Sequence, residues 1–337
     1  MIHYYKHIRD QELVGPVLAP KGWGYIRLQF ALRYALFVLA LILTLPVWGQ
    51  QDPQFNQYMF NPLGINPAYA GSRDALSMNL LYRNQWLGVD GAPVSQTFSI
   101  HTPLLRRKIG VGFQVTNESI GAKDVISIMG TYAYRIRLGP GKLAFGLRGG
   151  IYNYAFDWNK IEYRDEDDMF ADMNKDSYVL PNFDFGMYYN TRKFFVGIEA
   201  AHLNSPDLEF ASTTNSGDGS RLERHLSAIV GKAFVINKTL AFRPSMLIKQ
   251  AGATPAFVDV NTNFLFNDVL WLGVGYRSGY GGLAIAEYVI KKRLRIGYSY
   301  DFAFNSFRGN AGGSHEIFLG YDLNLSLSKM VSPRVFF

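Results

Sequence analysis

Six histidines are the side chains of this sequence that are best suited to bind a transition metal, since the sequence contains no cysteine. The histidines are His3, His7, His101, His202, His225 and His315. The last four fall on four different predicted strands and lack the i, i+4 helical spacing that is typical of zinc-binding histidine pairs. The absence of cysteine also excludes disulfides and thiol nucleophiles. We therefore predict no metal site and no cofactor.

Serine and histidine side chains are the other possible source of catalysis. Ser314 and His315 are adjacent, so their side chains should point to opposite faces of a strand. Glu223, His225 and Ser227 share a face, but same-face neighbours on one strand lie about 6.6 Å apart. That separation is too long for a hydrogen-bonded relay of the kind used in acyl transfer. The sequence therefore predicts a protein that is not an enzyme.

The densest group of carboxylates lies in a predicted long loop. It comprises residues 164–168 together with Asp172 and Asp176. The spacing lacks the Asp-x-Asp-x-Asp-Gly order of a calcium-binding loop. We interpret residues 164–176 as a solvated surface loop, with cation binding as the alternative.

Composition narrows the class of protein to which these residues belong. Of the 337 residues, 15% are aromatic and 18% are charged, which argues against a disordered chain. A mean hydropathy of -0.03 argues against a bundle of membrane helices. Residues 1–49 carry five basic and two acidic side chains, so the formal net charge of +7 falls to +4 beyond them. Because no long basic run or nucleic-acid motif is present, nucleic acid is not a predicted partner.

The N-terminal residues are typical of an export signal. A basic stretch, 27–33, precedes an apolar run, 35–45, and a polar sequence follows from Gln50. The run is shorter than the roughly 20 apolar residues that a membrane-spanning helix needs. We predict that residues 1–49 are a long lead-in plus a signal peptide cleaved near Gly49. The alternative is an uncleaved N-terminal anchor.

The rest of the chain alternates between apolar and polar residues with a period of two, which indicates β-strands. In 109–116, for example, Ile109, Val111 and Phe113 share one face, while Gly110 and Gln114 share the other. Segments between turn signals are 77–87, 94–102, 109–118, 124–137, 142–157, 181–190, 193–202, 223–235, 239–249, 256–266, 269–278, 283–290, 293–303 and 315–327. Most are near the 9–11 residues that a tilted strand needs to cross a bilayer.

The connections between these segments alternate between short turns and longer loops, as in bacterial outer-membrane barrels. Aromatic residues near strand ends are expected to form the interface girdles: Trp86, Tyr132, Tyr134, Trp158, Tyr188, Tyr189 and Trp271. We predict an all-β fold, a transmembrane antiparallel β-barrel of about 14 strands over residues 74–337, located in the outer membrane of a Gram-negative bacterium. A soluble β-sandwich or lectin is the alternative.

Two strands depart from the pattern. Glu287 falls on the same face as Leu283 and Ile285, and Pro244 interrupts the segment 239–249. Either the predicted register is wrong at these points or a bulge intervenes.

A barrel of this size needs water, a plug or a ligand to fill its lumen. Charges of both signs are expected to face the lumen: Arg148, Glu199, Arg243, Arg277, Arg295, Asp301 and Asp322. They could pair across the barrel as a network or line water and set the selectivity of a channel. Both alternatives remain open from the sequence.

Residues 50–73 precede the first strand and form an irregular segment, because three prolines argue against a regular helix or a central strand. Its apolar side chains would lose roughly 1.5–3 kcal/mol each if they stayed in water. We predict that the segment is ordered and lies inside the barrel or at its periplasmic mouth, with Phe60 and Tyr69 buried. The candidate residues for a plug or a partner contact are Phe55, Tyr58, Phe60, Asn61, Pro62, Asn66, Pro67 and Tyr69.

The runs 52–72, 83–88 and 91–97 fix many positions in order, and with the ending 332–337 they resemble the PorP/SprF family. The resemblance in pattern and length extends from about residue 50 to the C-terminus. Members of this family are outer-membrane barrels of Bacteroidetes that are associated with type IX secretion and gliding motility.

The resemblance implies an accessory role in type IX secretion, or in the display of a secreted surface adhesin, by anchoring partners. The implied partners are secretion or gliding machinery proteins, a secreted adhesin, a periplasmic peptidoglycan-binding lipoprotein and outer-membrane lipid. The alternative function is a channel or transporter for small solutes.

Overall fold

A computed structural model describes residues 52–161, 175–208, 220–304 and 312–323. The predicted signal peptide within 1–49, most of the acidic loop 164–176, and the ending 332–337 lie outside the described residues. Asp176 belongs to a strand, where its carboxylate accepts a hydrogen bond from the backbone N–H of Ser177 at 2.9 Å.

The described chain is almost entirely β-structure. Its first half contains β1 (Leu76–Asn84), β2 (Val94–Leu104), β3 (Ile109–Ile120), β4 (Lys123–Leu138), β5 (Gly141–Asp157), β6 (Lys175–Asn190), β7 (Phe194–Ala201), β8 (Asp207–Leu208) and β9 (Ser220–Arg221). Its second half contains β10 (His225–Lys232), β11 (Phe234–Val235), β12 (Leu240–Ala251), β13 (Phe257–Phe266), β14 (Leu270–Arg277), β15 (Gly281–Ile290), β16 (Leu294–Ala303) and β17 (Ser314–Leu323). In the described residues, no helix has the length and apolar character required to cross a membrane.

Fourteen of these strands close into one antiparallel barrel, which confirms the predicted fold class. Each strand from β1 to β7 pairs with the next, β7 pairs with β10, β10 with β12, and β12 through β17 continue in order. The barrel closes where β1 pairs with β17, with Leu76 opposite Leu323. The strand β11 adds a short pairing to β12, and β8 and β9 form a separate hairpin.

The two ends of the barrel differ in the length of their connections. One end, the turn end, carries the connections 105–108, 139–140, 191–193, 233–239, 267–269 and 291–293. The other end, the loop end, carries 85–93, 121–122, 158–174, 202–224, 252–256, 278–280 and 304–313. In outer-membrane barrels the short turns face the periplasm and the longer loops face outward.

Side chains alternate between an apolar outer face and a packed lumen. In β17, Ile317 and Leu319 are exposed on the outer face, whereas Glu316 and Phe318 are fully buried inside. Two aromatic residues that we expected in the interface girdles, Tyr188 and Trp271, instead point into the lumen and are buried. A residue near the end of a strand can face either the lumen or the lipid, so its position along the strand does not determine which side its ring occupies.

The two irregular strands keep their register without a bulge. In β15 the apolar residues Leu283 and Ile285 face inward together with Glu287, while Tyr288 faces outward. In β12, Pro244 lies opposite Thr262, and pairing with the other neighbour lapses between Ser245 and Phe242. Proline has no N–H to donate, so the ladder is interrupted where it occurs.

Candidate functional site

The lumen is occupied by residues 52–73, which we call the plug. Two short 3-10 turns, Pro62–Gly64 and Pro67–Tyr69, shape it. Proline fits the first position of such a turn because its missing N–H would be unpaired there anyway. The side-chain oxygen of Asn66 accepts a hydrogen bond from the backbone N–H of Ala68 at 2.9 Å, which caps the second turn. The plug is therefore irregular but fully structured.

Apolar plug residues form a core with inward side chains near the turn end. The ring of Phe60 lies 5.9 Å from that of Trp271, and the Arg243 guanidinium lies over both rings. The ring of Tyr69 lies 5.5 Å from that of Tyr188 in an edge-to-face arrangement. Phe60 and Tyr69 are 3% and 2% exposed. Burial of aromatic side chains of this size contributes roughly 1.5–3 kcal/mol each to the docking of the plug.

Glycines in the wall allow the plug backbone to approach closely. A Cβ atom at Gly146 in β5 would collide with the backbone of Pro67 and Ala68. A Cβ atom at Gly110 in β3 would collide with the carbonyl group of Ala70. Glycine is therefore required at these inward positions by the plug, and not by the strands that carry them.

Near the loop end, plug amides bind two carboxylates of the wall. The backbone N–H groups of Asn56 and Gln57 donate to Glu316 at 2.7 and 2.9 Å. The side-chain amide of Asn56 donates to Asp301 at 2.7 Å. Arg83 in β1 donates to Asp301 at 2.6 Å and to Glu316 at 3.4 Å, which offsets one of the two negative charges. The plug is thus held by hydrogen bonds as well as by apolar packing.

Arg148 in β5 links the plug to two acidic residues of neighbouring strands. Its Nε donates to Asp184 at 2.6 Å and its Nη2 to Glu199 at 2.8 Å. Its Nη1 donates to the backbone carbonyl of Leu63 in the plug at 3.1 Å. Planar, forked recognition of this kind requires arginine and would not be reproduced by lysine.

The other predicted lumen charges also lie inside the barrel. Arg277 donates to Asp259 at 2.8 Å and to the carbonyl of Phe55 at 3.4 Å. Arg295 donates to Asn79 at 2.8 Å and to the carbonyl of Phe60 at 3.4 Å. Asp322 pairs with Arg73 at 2.9 Å, at the point where the plug leads into β1. The charges pair with each other and with plug carbonyls, as in the network alternative.

The remaining candidate plug residues contact several different strands. Asn66 donates to the carbonyls of Met187 in β6 and Ile198 in β7 at 3.0 and 2.9 Å. The carbonyl oxygen of the Asn61 side chain accepts from Ser99 at 3.1 Å and from Asn79 at 3.2 Å. The hydroxyl of Tyr58 accepts from Asn261 at 3.0 Å. Pro62 and Pro67 are buried within their turns, and Phe55 packs against the edge of the apolar core.

Several buried lumen residues were missed in the sequence. They are Arg73, Arg83, Arg135, Asp184, Asp259 and Glu316. Arg135 donates to the carbonyls of Ala70 and Gly71, each at 2.6 Å, and so fixes the turn-end exit of the plug. All of them except Arg73 lie in strands, namely β1, β4, β6, β13 and β17. Strict alternation along these strands places them on the inner face, so this pattern could have identified them.

A cavity of about 110 Å³ remains between the plug and the wall. Its lining includes Asp52, Phe55, Gln114, Glu118, Tyr154 and Lys249. The space is large enough to hold water molecules. It is smaller than the roughly 300–1,000 Å³ of a typical small-molecule pocket.

The side chains considered for catalysis have other partners. Ser227 donates to Glu199 at 3.1 Å. His315 lies 2.6 Å from the hydroxyl of Tyr298, another residue of the outer face. His202 and His225, which the sequence predicts on different strands, meet because β7 and β10 are neighbours, and both contact Asp52 of the plug.

The sequence matches one family model, that of the type IX secretion system membrane protein PorP/SprF, over residues 47–321. A comparison with curated proteins gives no match. Among solved structures, the outer membrane protein Omp33 of Acinetobacter baumannii is 9% identical with a TM-score of 0.43, covering 74% of this chain and 99% of its own.

Two further barrels show a similar level of likeness. A Pseudomonas aeruginosa FadL homologue is 12% identical with a TM-score of 0.41, over 81% of this chain and 95% of its own. The NanC porin is 12% identical with a TM-score of 0.37, over 74% and 100%. Because these scores are low, the fold is assigned from the strand pairing itself.

Proposed function

Because the chain belongs to the family of type IX secretion system membrane proteins PorP/SprF, we propose that it serves that pathway by anchoring partner proteins and not by conducting solutes. A closed barrel with an apolar outer face is the form in which β-strands span a membrane. The chain is therefore an outer-membrane barrel related to type IX secretion. The anchoring role is the part that is proposed.

The observation that carries the proposal is the plug. A conducting barrel keeps a water-filled lumen, whereas here residues 52–73 bind strands around the whole wall. Arg148, Arg277 and Arg295 each donate to a plug carbonyl while they pair with or donate to polar groups of the wall. Opening a pore would break these buried contacts together. A rigid, filled barrel suits a role as a fixed platform for other proteins.

The proposed partners are secretion or gliding machinery proteins, with a secreted adhesin and a periplasmic peptidoglycan-binding lipoprotein as specific candidates. A lipoprotein in the periplasm would meet the turn end, and a surface adhesin would meet the loop end. The turn end offers exposed residues such as Lys238, and the loop end offers exposed residues such as Leu87. The two classes of partner would therefore dock at opposite ends.

Two measurements test the proposal. A photo-crosslinking amino acid at Lys238 should capture a periplasmic protein in intact cells, and one at Leu87 should capture a surface or secreted protein. An outward-facing position in the middle of a strand, Leu319, is the matched control and should capture neither. In planar bilayers the purified chain should give no steady conductance. A stable open channel without crosslinks at either end would overturn the anchoring role and favour a solute channel.

A further inference from the structure

Asp52, His202 and His225 form a compact cluster that joins the plug to the wall at the loop end. The Asp52 carboxylate lies 3.0 Å from Nε2 of His202 and 2.5 Å from Nδ1 of His225. The potential ligand atoms of all three residues lie within 4.8 Å of one another. Ligand atoms around a tetrahedral zinc ion, each 2.0–2.1 Å from the metal, lie about 3.4 Å apart. The cluster has the size of a metal site.

The hydrogen bonds of His202 determine which of its nitrogens is free to bind an ion. Its Nδ1 lies 2.7 Å from the side-chain oxygen of Asn182. That oxygen is oriented because the Asn182 amide nitrogen donates to Asp184 at 2.8 Å. The Nδ1 of His202 must therefore carry a proton, which leaves Nε2 with a lone pair in the neutral ring.

This lone pair faces the Asp52 carboxylate, so two acceptors meet unless a positive charge lies between them. The same arrangement suits a metal ion. A histidine that binds a metal usually donates the N–H of one ring nitrogen to an oxygen atom and coordinates the ion through the other nitrogen. Either a proton or a cation can therefore fill this position.

His225 supplies the second imidazole of the cluster, through Nδ1. Its ring is 1% exposed, and Nε2, on the opposite side of the ring, has no hydrogen-bond partner in the part of the chain that the structure describes. Its Nδ1 is directed at the same carboxylate as His202, and the two rings meet edge to face at 5.0 Å. Asp52 and His202 also line the lumen cavity, which provides room for a water molecule as a further ligand.

We propose that Asp52, His202 and His225 bind a divalent transition-metal ion of the zinc class. Two imidazoles and one carboxylate are a ligand set that Zn²⁺ accepts, with water completing four-coordination. The ion ties the plug, through Asp52, to the loop-end edges of β7 and β10. Lys249, whose Nζ lies 3.1 Å from the Asp52 carboxylate, competes with the ion for the same oxygen atoms.

The test uses the full chain, purified in detergent and stripped with a chelator. Zn²⁺ is titrated by calorimetry, and Co²⁺ is added separately because a nitrogen- and oxygen-ligated tetrahedral ion absorbs visible light. We expect one ion per chain. Asp52→Ala and His225→Phe should each lose this binding. Asn182→Ala, which removes the oxygen that orients the His202 ring together with a hydrogen bond to Asp184, should weaken it by about 10–100-fold.

His315→Phe is the matched control, because it removes a histidine of the wall that lies outside the cluster, and it should bind Zn²⁺ as the unchanged chain does. Lys249→Met should bind more tightly, since it removes the competing charge. Heat-modifiable mobility on gels checks that every variant is a folded barrel. No stoichiometric uptake by the unchanged chain, or equal uptake by the folded His225→Phe chain, would overturn the site. Weaker binding by Lys249→Met would place the ion elsewhere.

Discussion

Replacing Gly146 by leucine should loosen the plug without disturbing the barrel wall. The inward side of Gly146 is filled by the backbone of Pro67 and Ala68. A leucine there fits the strand, because branched and large side chains are well accepted in β-structure, but it enters the space of the plug. The matched control is Gly130→Leu in the adjacent strand β4, where the new side chain points outward and the nearest other atom to its Cβ is 3.8 Å away.

The expected magnitude follows from two competing costs. Inserting extra methylene groups into a packed core costs typically about 1–3 kcal/mol. Releasing the adjacent part of the plug would expose Leu63 and Tyr69, which are buried. At roughly 1.5–3 kcal/mol for each side chain, release would cost about 3–6 kcal/mol. The first cost is smaller, so the plug should remain docked but strained by about 1–3 kcal/mol.

Hydrogen–deuterium exchange of the plug amides measures this strain. A loss of about 1–3 kcal/mol raises the population of the opened plug by about 5- to 150-fold, and exchange should accelerate by the same factor. The backbone N–H groups of Tyr69 and Ala70, which are bonded within the second turn, are suitable reporters. Amides of β5 and β6 should be unaffected in both variants. Equal acceleration in Gly130→Leu, or acceleration spread over the strands, would refute the steric account.

Three further changes test other parts of the structure. Leu319→Arg in the middle of β17 should lower the stability of the barrel in lipid vesicles by about 2–4 kcal/mol, and Leu138→Arg at the turn end of β4 should lower it by about 0–1 kcal/mol. Equal losses of stability would contradict the outward register. Arg148→Met should cost about 3–5 kcal/mol in urea unfolding because it leaves Asp184 and Glu199 buried without their partner, and adding Glu199→Gln should recover part of the loss. Asn66→Ala removes three hydrogen bonds and should destabilise the plug by about 2–4 kcal/mol, with the exposed Asn237→Ala as the control that changes little in the same exchange assay.

The wall of the barrel could be predicted well from the sequence because alternation is a local property. Strand β13, expected at 256–266, spans Phe257–Phe266, and the strand expected at 293–303 spans Leu294–Ala303. The largest difference is β6, which begins at Lys175 and not at residue 181. The first residues of this strand, Lys175, Asp176 and Ser177, are polar on both faces, so alternation did not reveal where the strand begins.

The site was less accessible because it depends on which strands become neighbours across a long connection. His202 and His225 are separated by a connection that contains its own short hairpin, β8 and β9. Their proximity follows from the pairing of Ala201 with His225, which no local pattern in the sequence encodes. Asp52 comes from the plug, so its position depends on the whole path of residues 52–73 through the lumen. Spacing rules for metal ligands on a single element could not detect such a site.

The plug also explains why alternation did not assign a direction to β15. Period-two alternation separates two faces of a strand, but it does not say which face is inside. In a water-filled barrel the polar face must be the inner one, and the rule is safe. Here Leu283 and Ile285 belong to the same buried core as Phe60 and Trp271. An apolar inner face is stable only because the plug excludes water there. A strand such as β15, in which Leu283 and Ile285 face inward while Ala284 and Tyr288 face outward, is therefore itself a sequence signal for a filled lumen.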